Sequence, residues 1–119
     1  MNIQKKNPLY KSFGYAFEGI WTGFIKERNM KIHCFCMVCV IIAGFMFEIS
    51  LVEWCVCFIL FGLILSLELV NTAIEAVVDL VTEERKSLAK IAKDTAAGAA
   101  LVSAIMAIVI GLIIFVPKL

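Results

Sequence analysis

Three long apolar segments restrict the folds open to this chain more than any other feature does. They cover about residues 33–52, 54–80 and 96–116, and each is close to the roughly 20 residues with which a helix crosses a bilayer. The 119 residues are 62% hydrophobic with a mean hydropathy of +0.97, more apolar surface than a soluble domain of this size can bury. We therefore expect a single all-α integral membrane domain with three transmembrane helices.

The segment before the first span, about residues 9–28, has a different pattern. Its apolar residues recur at helical spacing, with polar residues largely opposite; they are Leu9, Phe13, Ala16, Phe17, Ile20 and Phe24. This pattern predicts an amphipathic helix that lies in the headgroup layer of the membrane. A helix packed against the bundle is the alternative.

Basic residues are distributed unevenly around the spans. Most precede the first span or occupy the loop at residues 81–94, and Lys118 alone follows the third. Because cytoplasmic loops are enriched in Lys and Arg, we expect the N-terminus and the 81–94 loop in the cytoplasm and the C-terminus outside. The basic residues are Lys5, Lys6, Lys11, Lys26, Arg28, Lys31, Arg85, Lys86, Lys90, Lys93 and Lys118.

A polar face lies at the cytoplasmic end of the second span. At 100° per residue, Glu68, Asn71, Glu75 and Asp79 fall within a sector of about 80°. The apolar run before them, residues 55–67, covers only about 20 Å of helix, less than the roughly 30 Å of hydrocarbon. We therefore place Glu68 about 10 Å below the cytoplasmic boundary, Glu75 near the boundary and Asp79 just outside it.

An acidic residue at the depth of Glu68 points to function. A carboxylate there is expensive unless it is paired, hydrated or protonated, and its position suits a general base. Polar contacts that join helices in an oligomer are the alternative. A graded series of acids that faces a basic loop favours a path between a lipid-embedded substrate and a water-soluble one.

The basic loop suggests the nature of the soluble substrate. Lys86, Lys90 and Lys93 share a helical face, and Asp94 adjoins them. Lysines opposite acids that could hold Mg²⁺ form the arrangement that a polyphosphate needs. The chain has no GxxxxGK[ST] motif and no cytoplasmic segment large enough for a nucleotide domain. A nucleotide is therefore expected to bind at the membrane surface.

The string ELVNTAIEAVVDL at residues 68–80, followed by AKDTAAGAA at residues 92–100, resembles the prokaryotic diacylglycerol kinase family. The resemblance covers nearly the whole chain and is strongest to the Gram-positive members that act as undecaprenol kinases. It implies a homotrimer in the bacterial cell membrane, with an N-terminal surface helix and active sites between neighbouring subunits. It also implies transfer of the ATP γ-phosphoryl group to the hydroxyl of undecaprenol, with diacylglycerol as the alternative acceptor.

The same resemblance assigns roles to individual residues. Glu68 would be the general base, and Glu27 and Glu75 would hold Mg²⁺. The residues that would bind ATP are Tyr15, Glu27, Glu75, Lys93 and Asp94, with Asn71 and Asp79 in support. Lys86 lies where the loop departs from the family pattern and is added to the ATP-binding residues for its positive charge. No nucleic-acid partner is expected.

Two hypotheses of another class fit less well. A small proton-coupled transporter would use a membrane carboxylate, but three spans and a basic loop that faces acids are not typical of one. A non-catalytic scaffold needs no graded acids. The lone histidine, His33, is interpreted as a polar residue at a helix end, and the five cysteines as small packing residues.

Overall fold

Four long helices form the chain in the computed structural model, which describes residues 8–119. They are α1 (Leu9–Lys26), α2 (Arg28–Met46), α3 (Leu51–Val81) and α4 (Ser87–Phe115), and a short 3-10 turn follows at Val116–Lys118. Within the described range no residue belongs to a strand. The last three helices are long and apolar enough to cross a membrane. The prediction of an all-α chain with three helices able to span a membrane is therefore confirmed for the described residues. Two of the predicted basic residues, Lys5 and Lys6, lie outside them.

The turn between α2 and α3 corrects the predicted end of the first span. That span was expected to reach residue 52, but α2 ends at Met46 and Leu51 already belongs to α3. The reason is a capping box, in which the Ser50 hydroxyl accepts from the Glu53 N–H at 3.2 Å and a Glu53 carboxylate oxygen accepts from the Ser50 N–H at 2.9 Å. Apolar residues flank this turn on both sides, so hydropathy alone does not locate it.

The loop between α3 and α4 is shorter than predicted. It comprises residues 82–86, because α4 begins at Ser87 and not near residue 96. The first turns of α4 are polar, and the apolar pattern from which the span was predicted omits them. Both helices are longer than the roughly 30 Å of hydrocarbon, since the 31 residues of α3 measure about 46 Å and the 29 residues of α4 about 43 Å.

Helix α1 contacts the bundle mainly near its C-terminal end. Gly23 is its one buried residue among those described, and a Cβ there would lie 2.5 Å from Cδ2 of Leu69 on α3. Apolar side chains closer to the N-terminal end of α1, including Leu9, Phe13 and Phe17, are exposed. The location of α1 at the membrane surface stays a prediction.

The apolar core sits at the end of the bundle that contains the α2–α3 turn. Ile49, Cys57 and Ile114 are buried there, and the rings of Phe47 and Phe115 meet edge to face. An ion pair closes the same end, where Lys118 Nζ lies 2.9 Å from Glu53 Oε2.

Small residues line α4 toward the other end. Ala96, Ala100 and Ser103 are buried, and α3 and α4 form the most extensive helix pair. Side chains of this size let helix backbones approach closely in a membrane. They also leave space beside the polar face of α3.

Replacing Gly44 should test the packing of the α2–α3 hairpin. A Cβ at this position would lie 2.5 Å from Cη2 of Trp54, whose rigid indole packs against Phe45 and Phe58. Overpacking of this kind costs about 1–3 kcal/mol. We expect Gly44→Ala to lower the thermal unfolding temperature in detergent micelles by several degrees.

The matched control is Gly62→Ala on α3, where a new Cβ meets nothing within 4 Å. Alanine is the better helix former, so this variant should unfold at the wild-type temperature or above. Equal unfolding temperatures for the two variants would contradict the close approach at Gly44.

Candidate active site

The carboxyl group of Glu68 lies inside the helix bundle. Glu68 is only 2% exposed, and two side chains of α2 lie beside its carboxylate oxygens. Asn29 Nδ2 donates to Glu68 Oε1 at 3.4 Å, and His33 Nε2 lies 3.7 Å from Glu68 Oε2. Asn29 and His33 are one helical turn apart and therefore share a face of α2. Each carboxylate oxygen thus has its own polar partner from the neighbouring helix.

Asn71 continues the polar face one turn further along α3. It is 6% exposed, and its Nδ2 donates to Glu75 Oε1 at 3.2 Å, which orients that carboxylate. The other amide atom, Oδ1, is buried without a hydrogen-bond partner among the described residues. Buried polar atoms are rarely left unpaired, so this oxygen is a free acceptor for a donor that enters the site.

A cavity of about 250 Å³ adjoins these residues, and we call it the Glu68 cavity. Its polar wall is formed by Asn29, His33, Glu68 and Asn71. The opposite wall belongs to α4 and consists of Ala97, Ala100, Leu101 and Ala104. The small side chains of α4 therefore provide the space beside the carboxylate.

A second cavity, of about 270 Å³, is almost entirely apolar, and we call it the apolar groove. It lies between α2, α3 and α4 and is lined by residues such as Val40, Phe61 and Gly111. His33 lines both the apolar groove and the Glu68 cavity. An apolar chain in the groove would therefore lie close to the buried carboxylate.

A third cavity, of about 550 Å³, surrounds the loop between α3 and α4, and we call it the loop cavity. Its charged lining includes Lys86, Lys90, Lys93 and Asp94. The last three belong to α4, whereas Lys86 precedes the helix as its N-cap with an extended backbone. Lys90 pairs with Asp94 on the same helix. Lys93 Nζ donates to Asp79 Oδ1 at 2.6 Å, and this contact links α4 to the end of the polar face on α3.

Two predicted site residues, Tyr15 and Glu27, line none of the three cavities described above. Tyr15 lies on α1 and is 44% exposed. Glu27 is half-buried at the break between α1 and α2, where the backbone is extended. No hydrogen bond or ion pair among residues 8–119 joins either of them to Glu68 or Glu75, and no three ligating side chains cluster there as a metal site.

Two residues of the site were not identified from the sequence. Asn29 was overlooked, and His33 was interpreted as a polar residue at a helix end. That interpretation is wrong, because His33 lies inside α2, which begins at Arg28, and faces Glu68. The available signal was their four-residue spacing, which places both on one face of a span.

Comparison with known proteins gives consistent matches along the chain. The family described as prokaryotic diacylglycerol kinase matches residues 14–115. An undecaprenol kinase from Bacillus subtilis is 50% identical over 113 residues, which cover 95% of this chain and 92% of that protein. A diacylglycerol kinase from Synechocystis is 43% identical over 112 residues (93% of this chain, 64% of that protein). Another from Helicobacter pylori is 31% identical over 98 residues (82% and 76%).

Proposed function

We propose that this chain, which belongs to the prokaryotic diacylglycerol kinase family, is an ATP-dependent undecaprenol kinase. It would transfer the γ-phosphoryl group of Mg-ATP to the lipid hydroxyl and release undecaprenyl phosphate and ADP. The observation that carries the proposal is the buried carboxyl group of Glu68, which lines a polar cavity beside an apolar groove. That arrangement suits a hydroxyl group at the end of an apolar chain.

Glu68 is proposed as the general base on that hydroxyl. Fifteen residues separate it from Glu53, which is paired with Lys118 at the opposite end of the bundle. This separation is about 22 Å of helix, within the roughly 30 Å of hydrocarbon. Glu68 would therefore lie below the cytoplasmic boundary, at a depth that a lipid hydroxyl can reach. The carboxylate takes the hydroxyl proton as the oxygen bonds to phosphorus.

Glu27 and Glu75 are proposed to hold Mg²⁺ together with ATP. Carboxylate oxygens are the ligands that Mg²⁺ prefers, and one or two of them with phosphate oxygens are sufficient. The hydrogen bond from Asn71 fixes the orientation of Glu75, so the residues present suit this ion. Mg²⁺ would neutralise charge on the phosphates.

The loop cavity is proposed to receive the polyphosphate. Lys86 and Lys93 would attract its negative charge, Asp94 would position Lys90, and Asp79 would hold Lys93 in place. Tyr15 on α1 would contact the nucleotide. Phosphoryl transfer depends mostly on positioning and charge neutralisation, which a site made of a few side chains can supply.

A homotrimer with active sites between neighbouring subunits is part of the proposal. Tyr15 and Glu27 line none of the three cavities found within one chain, which favours a site that a neighbouring copy completes. We also propose that α1 lies on the cytoplasmic surface, with the C-terminus outside.

The acceptor lipid is the least constrained part of the function. Diacylglycerol is the second candidate, since two of the relatives are named diacylglycerol kinases. The assay measures transfer of label from ATP to each lipid by the purified protein in mixed micelles. We expect kcat/KM to be higher for undecaprenol than for diacylglycerol. Faster transfer to diacylglycerol would reverse the assignment, and transfer to neither lipid would refute lipid kinase activity.

Removing the negative charge of Glu68 should abolish catalysis without unfolding the protein. We expect Glu68→Gln to lower kcat by about 10²- to 10⁴-fold, the contribution that a positioned general base makes. The assay uses labelled ATP and undecaprenol, with size-exclusion chromatography to verify the oligomer. Glu48→Gln, an exposed change at the α2–α3 turn, is the control. Wild-type turnover in Glu68→Gln would rule out this base.

Neutralising Glu75 should instead weaken the use of Mg-ATP. In Glu75→Gln the amide can still accept the hydrogen bond from Asn71, but a charged metal ligand is lost. We expect the Mg²⁺ concentration for half-maximal rate to rise at least about tenfold, in line with the loss of one ligand charge. An Mg²⁺ titration that coincides with the wild-type curve would exclude Glu75 as a ligand. Glu48→Gln, exposed at the α2–α3 turn, again serves as the comparison.

A further inference from the structure

Glu68 has a second requirement beyond taking a proton, because it must also lose that proton before the next turnover. The residue is 2% exposed, so its carboxyl group has almost no direct contact with bulk water. Among residues 8–119, His33 is the one basic group within 4 Å of the carboxylate oxygens, with Nε2 3.7 Å from Oε2. The geometry therefore offers one nearby proton acceptor.

We propose that His33 is the positioning residue that accepts the proton from Glu68 after each phosphoryl transfer. This inference rests on the proposed function of Glu68 as the base. The lipid O–H bond breaks, its proton goes to Glu68, and the lipid oxygen bonds to the γ-phosphorus as the bond to the ADP oxygen breaks. Glu68 then passes the proton to the lone pair of His33 Nε2. The imidazolium that forms releases it to water.

The position of His33 is consistent with both steps, the acceptance of the proton from Glu68 and its release. Its side chain is 20% exposed, compared with 3% for Glu68, so the imidazole is the more accessible of the two groups. The separation of 3.7 Å exceeds a hydrogen bond of about 2.7–3.2 Å. A shift of about 1 Å, or one water molecule in the Glu68 cavity, would complete the connection.

Histidine is suited to this exchange because one ring nitrogen of a neutral imidazole carries a lone pair that can accept a proton. The other titratable groups that line the two cavities are Glu68 and Cys57 from α3 and Cys36 from α2. Helix α4 contributes no titratable side chain to either lining, and α1 contributes no residue at all.

Asn29 provides an internal comparison for a purely structural role. It contacts the other oxygen of the same carboxylate, at 3.4 Å, from one helical turn away. Its amide can orient Glu68 but cannot accept a proton at neutral pH. If His33 only orients Glu68, the two residues should behave alike when they are replaced.

The experiment measures kcat for undecaprenol phosphorylation as a function of pH in His33→Gln, His33→Ala, Asn29→Ala and the wild type. We expect the wild type and Asn29→Ala to share one pH profile of kcat. His33→Gln keeps a polar amide but cannot take the proton, so its kcat should fall about tenfold or more and its pH profile should differ from that of the wild type, with the KM for ATP little changed. The same change of profile in Asn29→Ala would show that both residues only orient Glu68.

Chemical rescue provides a second readout that packing alone would not produce. Added imidazole should restore part of the kcat of His33→Ala, in proportion to its neutral form. Pyrazole has the same size and is a much weaker base, so it should have no effect. Rescue by both compounds would indicate that the ring only fills space, and rescue by neither would overturn the proton transfer.

Failure of this inference can be distinguished from failure of the proposed function. If the wild type transfers no label from ATP to a lipid, the proposed function fails first. If the wild type is active and Glu68→Gln is not, but His33→Gln keeps the wild-type kcat and pH profile, only the role of His33 is overturned.

Discussion

The burial of one carboxyl group, that of Glu68, determines the arrangement of the helices around it. An acidic side chain inside a membrane bundle is tolerated only with polar partners or water. Helix α2 supplies Asn29 and His33 as partners, and the alanines of α4 supply the space beside them. Removing α2 would eliminate the polar partners, and removing α4 would eliminate the alanine wall, so the environment of this group needs all three helices.

The two ends of the bundle divide stability and polarity between them. The end with the α2–α3 turn holds the apolar core, its aromatic rings, a capping box and the Glu53–Lys118 ion pair. The other end holds the Glu68 cavity and the loop cavity. Cavities lower packing density and therefore stability. The apolar groove borders the first end, because the core residues Cys57 and Ile114 line it, so the open space at that end is apolar and the open space at the other end is polar.

Sequence periodicity was sufficient for features that belong to one helix. The polar face of α3 follows from the 100° rotation per residue alone, and the membrane spans follow from length and hydropathy. The sequence does not locate the α2–α3 turn, because a hydrogen-bonded cap at Ser50, and not a change in hydropathy, marks the start of α3. The partnership of His33 with Glu68 was missed because it joins residues far apart in the sequence.

The spacing along α3 connects the proposed chemistry at two different depths. Seven residues, or about 10 Å, separate Glu68 from Glu75, and Asp79 lies about 6 Å further along. The bond between Lys93 and Asp79 fixes the register of α4 against α3 at the outermost of these levels. Sliding of α4 along α3 would break that bond and would move the alanines away from Glu68. The same register therefore holds the charged loop cavity and the buried carboxyl group at a constant separation, which in-line transfer between a soluble donor and a lipid acceptor requires.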